Sequence, residues 1–289
     1  MTVKIVADSG ANLTSGRLGN YETQIVPLSL IQGSTTWTDD ESFDQAAFNQ
    51  AARSGIQTSS ACPSITSWLT AYEDADEIYV FTISAELSGS YNSARQAAEL
   101  FLEKYESQEN AGRQIKIHVF DSRSAGPGEY LGMRKVAELK DQGKSFAEVV
   151  AAVNDYLQEH VKLFFCLKSM TNLANNGRVA PAAARIAGLL KICVYGWADK
   201  GLIVPLGKAR GEKKAWKNLA RKNLARIIKD QGYRGGKMVI NHAGNLEGAE
   251  SFHDIALADF PGAKITFCDC RGLCSFYAEE GGLMIGVEI

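Results

Sequence analysis

Ile78-Tyr-Val-Phe-Thr-Ile83, followed directly by Ser84-Ala-Glu-Leu-Ser-Gly-Ser-Tyr-Asn-Ser-Ala94, decides how this chain is read. The first six residues are a continuous apolar and β-branched run, the pattern of a strand covered on both faces inside a parallel sheet. Tyr91, Ala94, Ala98, Phe101 and Tyr105 then recur at helical spacing, so the turn between them delivers Ser88, Gly89 and Ser90 to a helix N-terminus. Unpaired backbone N–H groups and the positive end of the helix dipole favour an anion at that point, and Gly89 lets one approach the backbone closely. The plain alternative is that Ser88 or Ser90 only caps its own helix.

Thr58-Ser-Ser-Ala-Cys-Pro-Ser64 is a second hydroxyl-rich segment of the same kind. It precedes a helix pattern with Ile65, Trp68, Leu69 and Tyr72 on one face, and Pro63 suits a first helical turn. Strand-like Val3–Ala7, Ile78–Ile83 and Ile115–Phe120 alternate with helical patterns around Phe43–Ala52, Ser64–Glu73, Tyr91–Tyr105 and Glu129–Gln142. Alternation of this type predicts a parallel α/β domain. Ser145-Phe-Ala-Glu148 is a capping box that opens a helix ending near His160, where strand-like Val161–Leu167 begins. The domain boundary is placed there: residues 1–160 as a parallel α/β domain, and 161–289 as a mixed α/β domain, with the return of its last strand to the first domain left open. Short strands are expected at Lys191–Tyr195, Leu202–Leu206, Met238–Asn241 and Ala263–Asp269.

Length and composition fit that division. A chain of 289 residues exceeds the size at which one core keeps growing, and 45% hydrophobic with 22% charged residues is enough to bury substantial cores. A net charge of −2 gives no global bias toward nucleic acid or anionic membrane surfaces. Met1–Asp8 reads as a first strand and not as a signal peptide. The longest apolar region, Val179 to Leu206, is interrupted by Arg185, Lys191, Asp199 and Lys200 and cannot span a bilayer without burying charge. A cytoplasmic protein without a transmembrane segment is expected.

Six cysteines, at 62, 166, 193, 268, 270 and 274, are expected to be reduced thiols. Cys268-x-Cys270 is tighter than the usual zinc knuckle, so no metal site is assigned. Lys208–Lys229 holds nine Lys or Arg residues and one acid, Glu212. Such a run suits a docking face or a nucleic-acid patch, but Trp216, Ala220 and Leu224 form an apolar stripe that makes the charges the solvated side of a helix.

Thr58-Ser59 with Pro63-Ser64, Leu87-Ser-Gly-Ser-Tyr-Asn-Ser-Ala94, Asp121-Ser122 and Asn176-Gly177-Arg178 together resemble the DegV family. Asp8-Ser9, Val26-Pro-Leu28 and Trp37-Thr-Asp39 extend the resemblance over nearly the whole chain. It implies a two-domain DegV-like fold and the role of an acyl-presenting subunit of bacterial fatty acid kinase, with a long-chain fatty acid in an apolar tunnel between the domains. The hydroxyls of the Thr-Ser and Leu-Ser-Gly elements would hold the carboxylate, which here means Thr58, Ser59 and Ser88, with the backbone of Gly89 beside them. The first element is two residues longer than the family's Thr-Ser-Gln-Pro-Ser, so Ser60 stands beside Ser59 as a candidate. The family's Gly-Gly-Arg is Asn176-Gly177-Arg178, with Arg178 toward the carboxylate or a neighbouring acid. Tyr277 stands where the family's His-x-Gly-x-Gly has histidine; a phenol still donates a hydrogen bond but does not change charge near neutral pH. Ala180–Leu190, rich in small residues, would form part of the tunnel wall or a close helix contact.

The resemblance further implies no catalytic activity of the chain's own, no cofactor, and an ATP-dependent fatty acid kinase subunit as partner. Two other readings stand beside it. A serine-type lipid hydrolase would want a G-x-S-x-G elbow, which does not occur. A regulatory protein would use the basic helix to bind nucleic acid.

Overall fold

The computed structural model describes residues 1–52, 55–107, 114–182, 192–225 and 236–289. Strands β1 (Val3–Asp8), β2 (Gly16–Leu18), β3 (Tyr21–Val26), β7 (Glu77–Thr82) and β8 (Lys116–Asp121) form one sheet in the order β2-β3-β1-β7-β8. β3, β1, β7 and β8 are parallel, and β2 is an antiparallel edge. Side chains alternate across the sheet, so β1 sends Val6 to one face and Ile5 and Ala7 to the other. On the Val6 face lie helices α2 (Ile65–Ala71) and α3 (Ser90–Ser107), with Trp68, Tyr72 and Phe101 packed on Ile78 and Val80. On the other face lie α4 (Pro127–Asp141) and α5 (Phe146–Asp155), with Met133, Val136 and Val153 packed on Tyr79, Phe81 and Phe120. Both faces are covered, which is why β7 carries no polar alternation.

The antiparallel strands β4 (Ser29–Gln32), β5 (Thr35–Thr38) and β6 (Thr58–Ala61) make a small sheet in the order β5-β4-β6, next to helix α1 (Gln45–Ala52). Sequence patterning does not announce β6. Thr-Ser-Ser-Ala has no apolar alternation, and its extended form comes from pairing with β4, Leu30 opposite Ser60 and Ile31 opposite Ser59.

β9 (Val161–Leu167), β10 (Ile192–Asp199), β11 (Leu202–Arg210), β12 (Lys237–His242), β13 (Lys264–Asp269) and β14 (Leu283–Glu288) form the second sheet, ordered β11-β10-β9-β14-β12-β13. Only β12 and β13 run parallel. Lys200 and Gly201 both have positive φ, +49° and +87°, and make the two-residue hairpin turn between β10 and β11. Helices α7 (Glu212–Asn218) and α8 (Leu246–Asp259) cover one face of this sheet, with Trp216, Leu219 and Phe252 against Phe164, Ile240 and Ile285. The capping box at Ser145 is formed, its hydroxyl accepting from Glu148 N–H, and β9 starts at Val161. Short helices α6 (Thr171–Asn175) and α9 (Gly272–Ala278) complete the described elements used below.

α4 lies between the two sheets, touching β1 and β7 on one side and β9, β12 and β14 on the other. Glycines make the approach possible. A Cβ on Gly132 would fall 2.7 Å from Phe81 and 2.8 Å from Leu157, and one on Gly286 of β14 would fall 2.6 Å from the Cβ of Pro127. Asn12, in the left-handed conformation at φ +59°, adds a polar tie: its Nδ2 donates to Asn241 Oδ1 at 3.0 Å, and its Oδ1 accepts Arg271 N–H at 2.9 Å. The small-residue helix expected at Ala180–Leu190 falls outside the described residues from position 183 onward, as do residues 226–229 of the basic run. Gly286→Ala should lower the free energy of urea unfolding by about 1–3 kcal/mol, because the Pro127 ring cannot rotate out of the way.

Candidate functional site

A cavity lies between the second sheet and the first half of the chain. It encloses about 850 Å3 of atom-free space, part of it open to solvent. Leu163, Phe165 and Leu167 of β9 and Met284 of β14 form one wall; Leu28, Ile83, Leu87 and Ala125 form the other; Leu273 and Cys274 of α9 close a side. Five polar residues interrupt an otherwise apolar lining: Ser60, Ser88, Ser124, Arg178 and Tyr277. An apolar chamber with a few polar groups suits an amphiphile.

Each polar residue is placed by a separate local device. Tyr277 sits on α9, whose first turn is held by Leu273 N–H donating to the buried Asp39 Oδ2 at 3.0 Å. Arg178 follows a Schellman ending of α6. Gly177 takes φ +75°, its N–H reaches Ala174 O at 3.0 Å, and Arg178 N–H reaches Leu173 O at 2.8 Å. Asn176 Nδ2 donates to Thr58 O at 3.1 Å, tying this turn to β6. Ser88 lies in the turn before α3, where its Oγ accepts Ser90 N–H at 3.2 Å. That contact occupies a lone pair and leaves the hydroxyl proton available to a ligand.

Ser60 Oγ and Tyr277 Oη are hydrogen-bonded at 2.7 Å. The Arg178 guanidinium lies 5.5 Å from the centre of the Tyr277 ring; its Nε donates to Leu87 O at 3.1 Å and its Nη1 to Asn176 O at 2.6 Å. Among the described residues no carboxylate pairs with Arg178, so its charge is balanced only by carbonyls and a ring face. Burial pushes the Tyr277 phenol above its ordinary range, opposed by Ser60 and Arg178, so the group remains a neutral donor. One end of the cavity therefore offers hydroxyl donors and a cation to a ligand, and the rest offers hydrocarbon.

Of the residues expected from sequence, Ser60, Ser88, Arg178 and Tyr277 meet at this cavity. Thr58 and Ser59 do not line it. Thr58 is buried and faces an adjacent groove beside α1, while Ser59 alternates to the exposed side of β6. The two extra residues in the Thr58–Ser64 element thus leave Ser60 as its hydroxyl on the cavity. Gly89 is exposed and abuts Cys62, whose sulfur would lie 3.3 Å from an added Cβ, so its backbone is not part of the lining. Gly281 and Gly282 pair with Ala243 through backbone bonds of 2.8 and 3.0 Å and also stay outside the lining.

Ser124 is the lining residue that sequence reasoning missed. Its hydroxyl is buried with no hydrogen-bond partner, in the turn after β8 whose N–H groups bond Asp121 and Ser122. The signal was present, since Asp121-Ser-Arg-Ser124 ends a parallel strand as Ser84 does. All six cysteines are free thiols, and among the described residues no His, Cys, Asp and Glu cluster is arranged to hold a metal. Trp216, Ala220 and Leu224 are buried while Lys213, Lys214 and Lys217 are exposed, so this stretch of the basic run is the solvated side of an amphipathic segment. None of the helices in the described residues is long and apolar enough to cross a membrane.

The sequence model of the DegV family, described as an uncharacterised protein family, matches residues 2–288. A DegV domain-containing protein of Streptococcus pyogenes is 40% identical over 293 residues, covering 100% of both chains. The structure of the Streptococcus pneumoniae Fatty Acid Kinase (Fak) B3 protein loaded with linoleic acid is 37% identical, with a TM-score of 0.91 over 100% of both chains. A DegV family protein from Eubacterium eligens loaded with heptadecanoic acid is 34% identical, with a TM-score of 0.90 over 99% of each chain.

A double-mutant cycle tests the Ser60–Tyr277 hydrogen bond. Ser60→Ala and Tyr277→Phe should each cost about 0.5–1.5 kcal/mol in urea unfolding of the ligand-free protein, and the double variant should cost clearly less than their sum. Additive losses would show that the bond contributes nothing.

Proposed function

The chain belongs to the DegV family, and on that premise we propose that it binds a long-chain fatty acid in the cavity between its two sheets and presents the carboxylate to an ATP-dependent kinase subunit for acyl-phosphate formation. The observation that carries this reading is the segregation of the lining: Ser60, Ser88, Arg178 and Tyr277 gather near one another while both long walls are apolar. Relatives with bound linoleic and heptadecanoic acid support the same ligand class. Residues 1–160 and 161–289 act as the two domains around the acyl chain, in the cytoplasm where ATP is available.

Head and tail have different tasks. Burying about 14 methylenes at about 0.8 kcal/mol each gives on the order of 11 kcal/mol of transfer energy. A hydrogen bond to a charged group nets about 1.5–3 kcal/mol. The tail holds the ligand, and the hydroxyls with Arg178 orient its carboxylate. Phosphoryl transfer depends on an in-line approach of that carboxylate to the nucleotide, so orientation is what this chain contributes and the kinase supplies the phosphate chemistry. A hydrolase role would need a base beside Ser88, and none of the four histidines lines the cavity. In this reading the chain itself carries no catalytic residue.

Protein purified from a bacterial host should release long-chain fatty acids on solvent extraction, identified by mass spectrometry. Recovery of none, together with no binding of added palmitate or oleate, would remove the reading. Ser88→Ala should retain its fatty acid yet lower acyl-phosphate formation with the cognate kinase by roughly tenfold or more, because it removes orientation and not tail burial. Full phosphorylation in that variant would take Ser88 out of the head-group site.

A further inference from the structure

Asp8, at the end of β1, is fully buried and does not line the cavity. Its Oδ2 accepts Ile83 N–H at 3.1 Å and the Ser90 hydroxyl at 2.5 Å, and its Oδ1 accepts Gly10 N–H at 3.0 Å. Ile83 and Ser90 are the two ends of the turn that carries Ser88. Inside that turn, Leu87 and Ser88 N–H close on Ser84 O at 3.0 and 3.1 Å. A single carboxylate oxygen therefore clamps both ends of the segment that offers Ser88 to the cavity.

Glu129 of α4 comes to the same point from the opposite side. It too is fully buried and faces Asp8 across Gly10; its Oε1 accepts Gly126 N–H at 3.2 Å, and its Oε2 has no partner. Gly10 leaves the room for this meeting, because a Cβ there would lie 2.8 Å from Asp8 Oδ1 and 3.1 Å from Glu129 Oε1. Two fully buried carboxyls brought around one glycine do not readily ionise together, so the pair is expected to hold one proton. Asp8 already accepts three hydrogen bonds that stabilise an anion, while Glu129 accepts one. We infer that Asp8 and Glu129 form a one-proton carboxyl pair that positions the Ser88 turn, with Asp8 as the anionic clamp and Glu129 as the neutral acid that donates to it.

The surroundings agree. Burial raises Asp8 to about 6, opposed by its bonds from Ser90, Ile83, Gly10 and Glu129. Burial, then the charge of Asp8, raises Glu129 well above the usual carboxyl range. The other ionisable groups facing the pair are Asp121 at the end of β8 and the Cys274 thiol of α9, which donates to Gly10 O at 3.3 Å. Neither of them is a cation, so the pair's charge is set by its own proton. Both folded values are raised, so each group adds stability that is present below the ordinary carboxyl range and lost as pH rises through its folded value.

The consequence for a bound acid rests on the fatty-acid reading, but the pair itself is read without ligand. Amide NMR of the ligand-free protein between pH 4.5 and 8.5 follows Ile83 and Gly10, whose N–H groups sense ionisation of their acceptor. The wild type should show a step near pH 6. Glu129→Gln keeps a neutral donor and should leave that midpoint within about half a pH unit, whereas Glu129→Leu removes the donor and should raise it by about one unit. Asp8→Asn should abolish the step and speed hydrogen exchange of the Ile83 amide roughly tenfold. In protein loaded with palmitate labelled at its carboxyl carbon, Asp8→Asn should keep the chain while shifting or broadening the carboxyl resonance. An Ile83 amide that does not titrate, or a Glu129→Gln midpoint lowered by more than about one unit because the proton had been on Asp8, would overturn the assignment. So would an unchanged carboxyl resonance in loaded Asp8→Asn. Failure of the wild type to take up palmitate would instead count against the fatty-acid reading, with the amide titration still deciding the pair.

Discussion

The close approach of helix α4 to strand β14 governs the architecture. A helix packed on a sheet normally stands off by the length of the side chains on both, but Pro127 meets Gly286, which has no Cβ to hold it off. The same helix packs its other side on β1 and β7. One helix thus serves two sheets, and the β9 and β14 side chains beyond its reach, Leu163, Phe165, Leu167 and Met284, face space that no protein group fills. Empty apolar volume lowers stability relative to a packed core, since its lining loses dispersion contacts. A ligand that restores those contacts stabilises the fold as it binds.

The polar end of the cavity is assembled from parts far apart in the chain. β6 brings Ser60, the turn after β7 brings Ser88, the Schellman turn after α6 brings Arg178, and α9 brings Tyr277. A half-buried guanidinium without a carboxylate partner keeps part of its charge away from water at a cost. Here carbonyl oxygens and the Tyr277 face offset part of that cost, and a ligand anion would complete it. Tyr277, its phenol pushed up by burial, stays a neutral hydrogen-bond donor across the neutral range.

Beneath that end, buried carboxyls hold backbone and do not face solvent. Asp39 secures the start of α9 and Asp8 secures the turn before α3, so two of the polar side chains at this end of the cavity rest on acids that sequence reading would place at ordinary strand ends. Preorganisation of this kind matters where a carboxylate must be aimed, because a turn free to move would keep the chain bound but lose its direction.

The chain's local patterns were enough to predict the parallel sheet, the helices flanking it and the capping box at Ser145, because a strand covered on both faces and an amphipathic helix write their burial into residue spacing. The resemblance carried by Leu87–Ala94 and its companion motifs gave the family, and Ser88, Arg178 and Tyr277, which it named, come together at one cavity. Tertiary structure decided the rest. β6 is a strand only because β4 pairs with it, and that register, not the polar run itself, turns Ser60 to the cavity and Ser59 to solvent. Ser124 and the placing of Asp8 and Glu129 around Gly10 lay hidden for a similar reason: the two acids are distant in sequence, and neither shows that the glycine lets both approach it. Periodicity records which face a residue buries, whereas the partner it meets depends on how whole elements cross.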